Sequence, residues 1–169
     1  MGRVTIELRD DQISLGDYTE ADVSGLVENG SDPETISCRR SLIPQSEEAA
    51  RRFIDRGVRL AEERSELNWA MHDAETGEYL GTIIARLMDE YADLAYSVRP
   101  QARGRGVATR ALTLAAGHVL ALPEIDHLNL YIDEDNAPAR RVAEKAGFSM
   151  VERFPGVAGS KAVYVLTAG

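Results

Sequence analysis

Two hydrophobic periods alternate along the chain. Val4 to Leu8 sets apolar Val4, Ile6 and Leu8 against Thr5 and Glu7, a period of two that predicts a strand. Asp10-Asp11 turns it, and Ile13-Ser14-Leu15 reads as a second short strand. Thr19-Glu20-Ala21-Asp22 is a helix start, with Thr19 as cap and acids in the first turn. That helix runs through Val23, Leu26 and Val27 and is expected to stop at Asn29-Gly30. Ser31 to Pro44 reads as irregular, broken by Pro33 and Pro44. Ser46 opens a second helix, in which Ala50, Phe53, Ile54, Val58 and Ala61 recur at helical spacing until about Ser65.

The period then returns to two. Asn68 to His72, Tyr79 to Met88 and Ala92 to Val98 read as strands, the first two joined at the turn cluster Asp73–Glu78. Val107 to about Leu122 is a long apolar helix, broken at Leu122-Pro123-Glu124. His127 to Ile132 alternates as a strand, Asn136 to Ala146 is a short helix stopped by Gly147, and Phe148–Arg153 and Ala162–Leu166 are final strands. The order ββααβββαβαββ predicts a mixed sheet with helices on its faces. Ala92 to Ile132 should form a parallel pair with a right-handed crossover. No repeat, low-complexity tract or linker divides the chain, so residues 1–169 are expected to form one domain.

Composition narrows the possible partners. A net charge of −9 and a pI near 4.9 argue against nucleic acid, which requires a broad basic surface. No run approaches the roughly 18 apolar residues of a membrane span, and the N-terminus has no secretion signal. One cysteine, Cys38, cannot form an internal disulfide, which fits a reducing cytoplasm. His72, His118 and His127 do not stand at metal-ligand spacing, so no metal is expected.

Against that acidic background, Arg99 to Thr109 reverses sign. Arg99, Arg103, Arg105 and Arg110 crowd twelve residues that contain no acid. The stretch joins a strand to a helix through Gly104 and Gly106, which permit a tight turn and close approach of a ligand. The first N–H groups of a helix lack internal partners, and the helix dipole adds partial positive charge there. Together these features predict an anion site.

Arg103-Gly104-Arg105-Gly106-Val107-Ala108 fits the pattern Q/R-x-x-G-x-G/A. Downstream, Asn136-Ala137-Pro138 leads through a helix to Gly147-Phe148. On these motifs, and on Leu15 into Tyr18-Thr19-Glu20-Ala21-Asp22 and then Ser31-Asp32-Pro33-Glu34, the chain resembles the GNAT N-acetyltransferase superfamily, RimJ/RimL type. The resemblance implies an α/β (α+β) fold: a mostly antiparallel mixed sheet, helices on both faces and one central parallel strand–helix–strand unit. It implies acetyl-CoA as acyl donor and a primary amine as acceptor, a small molecule or a protein N-terminus. Dimers are common in the RimL-like branch, so a homodimer stays open. By analogy the backbone from Gly104 through Arg105, Gly106, Val107 and Ala108 to Thr109 would hold the pyrophosphate. The two strands Ala92–Val98 and His127–Ile132 would splay to admit the pantetheine arm. Ser97 and Val98 would bond that arm from one side and Asn136 from the other.

Two departures concern the chemistry. Many members carry a tyrosine seven residues after the Asn, as the acid for the departing thiolate; here that position is Ala143. The serine of the RimL-like branch is replaced by Ala139. Tyr96 or Tyr131 could supply the proton instead. Asp93 matches a position where the branch often carries Glu and is the candidate base. An α-amine with pKa near 8 is roughly a tenth neutral at pH 7, a lysine far below one per cent, so an N-terminal amine needs little help from a base.

Two other functions compete. Gly104-x-Gly106-x-x-Thr109 nearly spells a Rossmann dinucleotide fingerprint, with Asp133 closing the next strand, which would suit an NAD(P)-dependent oxidoreductase. The missing Tyr and Ser would also suit a non-catalytic acyl-CoA sensor. Arg140, Arg141 and Lys145 could meet a 3′-phosphate or could be surface charge.

Overall fold

A computed structural model describes residues 6–33, 43–156 and 159–168. Val4 and Thr5 of the first expected strand, residues 34–42 of the irregular stretch, and Cys38 within it lie outside the described residues. The elements are β1 (Leu8–Arg9), β2 (Ile13–Gly16), α1 (Val23–Ser31), α2 (Glu47–Glu62), β3 (Glu66–Asp73), β4 (Tyr79–Leu87) and β5 (Tyr91–Val98). They continue with α3 (Val107–Leu120), β6 (His127–Asp133), α4 (Ala137–Lys145), β7 (Ser149–Gly156) and β8 (Gly159–Thr167). The strands make one sheet in the order β1-β2-β3-β4-β5-β6-β8-β7. Every neighbouring pair is antiparallel except β5 with β6.

Sequence patterning explains the layers. The apolar stripe of α3 (Val107, Ala111, Leu112, Ala115, Val119) covers one face of the sheet, over Trp69, Met71, Ile83, Leu94 and Leu128. Ala143 of α4 joins the same core. Leu26 of α1 and Ala50 of α2 pack on the opposite face, against Ala70 and Tyr79. Caps fix the helix starts: Thr19 and Asp22 form a capping box ahead of α1. The Ser46 hydroxyl accepts the Ala49 N–H at 3.1 Å to open α2.

Two boundaries differ from expectation. Among the described residues β1 pairs at Leu8 and Arg9, and upstream the Ile6 carbonyl accepts the Trp69 indole N–H at 3.0 Å. α1 runs through Asn29 and Gly30, both buried, to Ser31; tertiary contacts override the local stop signal.

One irregularity shapes the centre of the sheet. Met71 faces Gly81 while His72 faces Tyr79, so Leu80 is an extra residue in β4, a bulge. The bulge brings Tyr79 and Thr82, three residues apart, to the same side, where their hydroxyls meet at 2.7 Å. At Gly81 an added Cβ would stand 2.3 Å from the Ser97 carbonyl oxygen of β5. Gly81→Ala should therefore lower stability by about 1–3 kcal/mol, because the atom it meets is backbone. Gly117, on the exposed side of α3 with nothing within 4 Å, gives the opposite result: Gly117→Ala should add about 0.5–1 kcal/mol. Urea unfolding of the two variants checks both signs.

Candidate active site

The sheet opens at its only parallel pair among the described residues. β5 and β6 are in register from Tyr91–His127 through Ala92–Leu128 to Asp93–Asn129, and there the pairing ends. On its other side β5 stays paired with β4 along its length, from Ala92–Leu87 to Val98–Gly81. β6 likewise stays paired with β8 from His127–Thr167 to Asp133–Lys161. Beyond Asp93 and Asn129 the two strands therefore face each other across a gap, with their inner N–H and C=O edges unbridged by sheet bonds. Buried backbone polar groups are almost always satisfied, so such a gap suits an extended ligand with its own amide groups.

At the open end of the gap β5 leads through Arg99 and a short 3-10 turn (Pro100–Ala102) into the glycine loop. Gly104 and Gly106 both adopt φ +76°, the left-handed region. A Cβ at either would meet nothing within 4 Å, so the loop backbone fronts open space. Gly106 caps α3, and no side chain among the described residues bonds that end. The first bond of the helix is Arg110 N–H to the Gly106 carbonyl, 3.1 Å. The amides of Gly106, Val107, Ala108 and Thr109 thus precede the ladder and form a donor set at the positive end of the helix dipole.

The arginines act differently from the simple charge argument. Arg99 pairs with Glu28 at 2.8 Å and Glu78 at 3.2 Å, and Arg110 with Asp10 at 2.8 Å and Asp11 at 3.2 Å. Arg103 turns inward: its Nε donates to the Val98 carbonyl at 3.1 Å and its guanidinium meets Asp32 at 3.2 Å. It braces the loop against the end of β5. The basic excess of this stretch is thus largely neutralised by acids from α1 and from the turn after β1, with Arg105 left exposed.

The remaining candidates border the gap. Asn136 caps α4, its Oδ1 accepting the Ala139 N–H at 3.2 Å, which leaves the carboxamide NH2 as the donor for a ligand. The Ser97 hydroxyl donates to Asn29 Oδ1 at 3.2 Å. Asp93 sits where pairing ends, its Oδ1 accepting the Asn129 NH2 at 3.3 Å, on the face shared with Tyr131. Burial, and then the Asp93 charge, push the Tyr131 phenol up from its usual range. Tyr96 lies on the opposite face of β5, packed on the core that holds Ala143. Its hydroxyl is buried with no hydrogen-bond partner among the described residues, and burial raises its proton affinity well above that of an ordinary phenol. At neutral pH it stays protonated, a donor with nothing to donate to.

Other side chains turn out to be structural. The His72 Nε2 lies 2.9 Å and 3.0 Å from the two oxygens of buried Asp22, tying β3 to the start of α1. Arg140 reaches the Tyr164 hydroxyl and the Glu134 carbonyl, both at 3.1 Å, and so points into the protein. His127 stacks on Tyr91 at the paired end of the strands. Among the described residues no group of three or more His, Cys, Asp or Glu could hold a metal, and no helix is long and apolar enough to cross a membrane. Sequence reasoning missed Asn29; an Asn-Gly pair inside an otherwise continuous helical pattern was the available signal.

A mixed, mostly antiparallel sheet, splayed at one parallel pair and fronted by a glycine-capped helix, places the chain in the α/β class. A doubly wound Rossmann sheet would be mainly parallel; the single parallel pair among the described strands rules out the dinucleotide alternative. The sequence profile of the acetyltransferase (GNAT) domain matches residues 12–149. The chain belongs to the GNAT acetyltransferase family. It is 37% identical over 87 residues to the mycothiol acetyltransferase of Beutenbergia cavernae, covering 50% of this chain and 29% of that one. It is 35% identical over 104 residues to that of Amycolatopsis mediterranei, covering 59% and 32%. The matched stretch thus spans about a third of the length of these relatives. Solved structures share the fold at low identity. The RimL ribosomal L7/L12 alpha-N-protein acetyltransferase in complex with coenzyme A aligns at TM-score 0.82 with 14% identity, covering 96% of this chain and 98% of that one. RimJ of Mycobacterium smegmatis aligns at 0.78 with 17% identity, covering 96% and 86%.

Removing the Tyr96 hydroxyl removes a buried donor without a partner. Tyr96→Phe should raise the unfolding free energy of the ligand-free protein by about 1 kcal/mol, measured by denaturant unfolding.

Proposed function

We propose that this protein transfers the acetyl group of acetyl-CoA to a primary amine, an α-amine in preference to a lysine. The observation that carries the proposal is the gap between β5 and β6 opening directly onto the glycine-capped start of α3. Three features fit the donor. Open backbone at Gly104 and Gly106 suits a pyrophosphate. The unbridged strand edges suit the amides of a pantetheine arm. The orphaned Tyr96 hydroxyl suits a group that arrives with the ligand. The names of the relatives, mycothiol acetyltransferase and ribosomal alpha-N-protein acetyltransferase, support the same class of transfer.

Acetyl-CoA supplies an activated thioester carbonyl; the chain's own groups do the rest. Backbone amides of 104–109 hold the diphosphate. Ser97 and Val98 of β5, with the Asn136 NH2 from across the gap, orient the arm. A β5 N–H near the thioester stabilises charge developing on the carbonyl oxygen, an effect worth a few kcal/mol. Asp93 takes the proton of the attacking amine, directly or through water. Tyr96, on the side of the sheet where Ala143 replaces the usual phenol, gives a proton to the departing thiolate. Holding amine and thioester in line contributes much of the remaining rate.

Thiol release from acetyl-CoA, followed with a panel of α-amines, lysine side chains, polyamines and aminoglycosides, tests the reading, alongside calorimetry with CoA. Turnover with an α-amine supports it. CoA binding without turnover on any amine assigns the site to a donor sensor, and no binding at millimolar CoA overturns the donor site altogether. Asp93→Ala should lower kcat by about 10- to 100-fold with little change in the KM for acetyl-CoA. Gly106→Val, which forces a β-branched residue into positive φ, should abolish CoA binding, measured by calorimetry.

A further inference from the structure

Beneath α1 lies a chain of buried polar groups that the transfer step does not use. Asn29 is fully buried in the last turn of α1. Asn and Gly are weak helix formers, and the last turn of α1 contains both in succession. Gly30 is explained by close approach: an added Cβ would stand 2.0 Å from the Pro44 carbonyl oxygen. Asn29 is explained by its carboxamide. Its Oδ1 accepts the Ser97 hydroxyl at 3.2 Å, and its NH2 donates to the Tyr79 hydroxyl at 3.4 Å. Tyr79 in turn meets the Thr82 hydroxyl at 2.7 Å, and the Tyr18 hydroxyl stands 2.9 Å from Thr82 Oγ1 and donates to Asn68 Oδ1 at 2.7 Å.

This chain ends at one place of consequence. Ser97 lies on the stretch of β5 that has lost its β6 partner. Its carbonyl is packed over Gly81, and its hydroxyl is held by Asn29. A strand paired on one side only can twist about that ladder; a side-chain bond from another element removes the freedom. A buried leucine would satisfy the helix and the apolar neighbours better than a carboxamide, since a buried amide is tolerated only when bonded. The carboxamide is thus matched to Ser97 and Tyr79 rather than to the helix.

We propose that Asn29 is a positioning residue for the acyl donor. Through the Ser97 hydroxyl it fixes the unpaired half of β5, so that the backbone of Ser97 and Val98 is pre-set to receive the arm of acetyl-CoA. The inference rests on the donor-site reading above. α1, known so far only as a packing helix, becomes the support of the donor strand.

The test is a double-mutant cycle on the full chain. Ser97→Ala and Asn29→Leu each remove the bond from one side. Each should weaken CoA binding by calorimetry, and raise the KM for acetyl-CoA, by about fivefold, with the acceptor KM unchanged. The double variant should bind CoA no more weakly than Asn29→Leu alone, because the Ser97–Asn29 bond is already gone in that variant. Ser97→Thr, which keeps the hydroxyl, should restore wild-type affinity. If Asn29→Leu does not fold, Ser97→Ala against Ser97→Thr decides. Unchanged CoA affinity in Ser97→Ala, or a double variant whose loss is the product of the single losses, overturns the inference while the donor site stands. Failure of the wild-type protein to bind CoA overturns both.

Discussion

A β-sheet keeps its interior only if every strand edge is bonded, and here the bonding stops in mid-sheet. The ladder between β5 and β6 lasts three residue pairs, ending at Asp93 and Asn129, while the flanking ladders continue. The rest of the architecture follows from accommodating that break. Parallel strands need a crossover, and α3 supplies it. The crossover must begin at the C-terminal end of β5, which is where the strands have parted. The donors at the start of α3 therefore face the mouth of the gap by topology. The two antiparallel wings, β1 to β4 on one side and β8 with β7 on the other, hold the splayed strands from outside.

Electrostatics play a smaller part than the run of arginines suggests. Arg99, Arg103 and Arg110 are tied to Glu28, Asp32, Asp10 and neighbouring acids, so they fasten the loop to α1 and to the turn after β1. The arginines of these pairs are half-buried or buried against the protein. Their effect is to fix where the glycine turn sits. The amides at the two left-handed glycines have directions set by φ and ψ and not by a rotamer. The buried chain from Asn29 to Tyr18 does for β5 what Arg103 does for the loop.

Most elements follow from periodicity because their cores are strongly patterned: α3 with its alanine-rich stripe, the hairpin of β3 and β4, the Gly147 stop after α4. The family motif lay in Arg103 to Ala108 and was visible for the same reason; glycines at fixed spacing have few other uses. What sequence could not supply was the third dimension of the charged residues. Nothing local reveals that Arg103 turns inward to Val98, that His72 reaches Asp22 fifty positions away, or that Leu80 is bulged out of register. The stop expected at Asn29-Gly30 failed because propensity was outweighed by contacts with Ser97, Tyr79 and Pro44.

The glycine turn has an evolutionary corollary. A turn made of peptide groups asks only that its two left-handed glycines stay, and the side chains around it can drift without redirecting its amides. Residues on the far side of the gap are free to diverge toward new acceptors while the acyl source stays the same. Descendants of such a scaffold would inherit their currency and change only their customers.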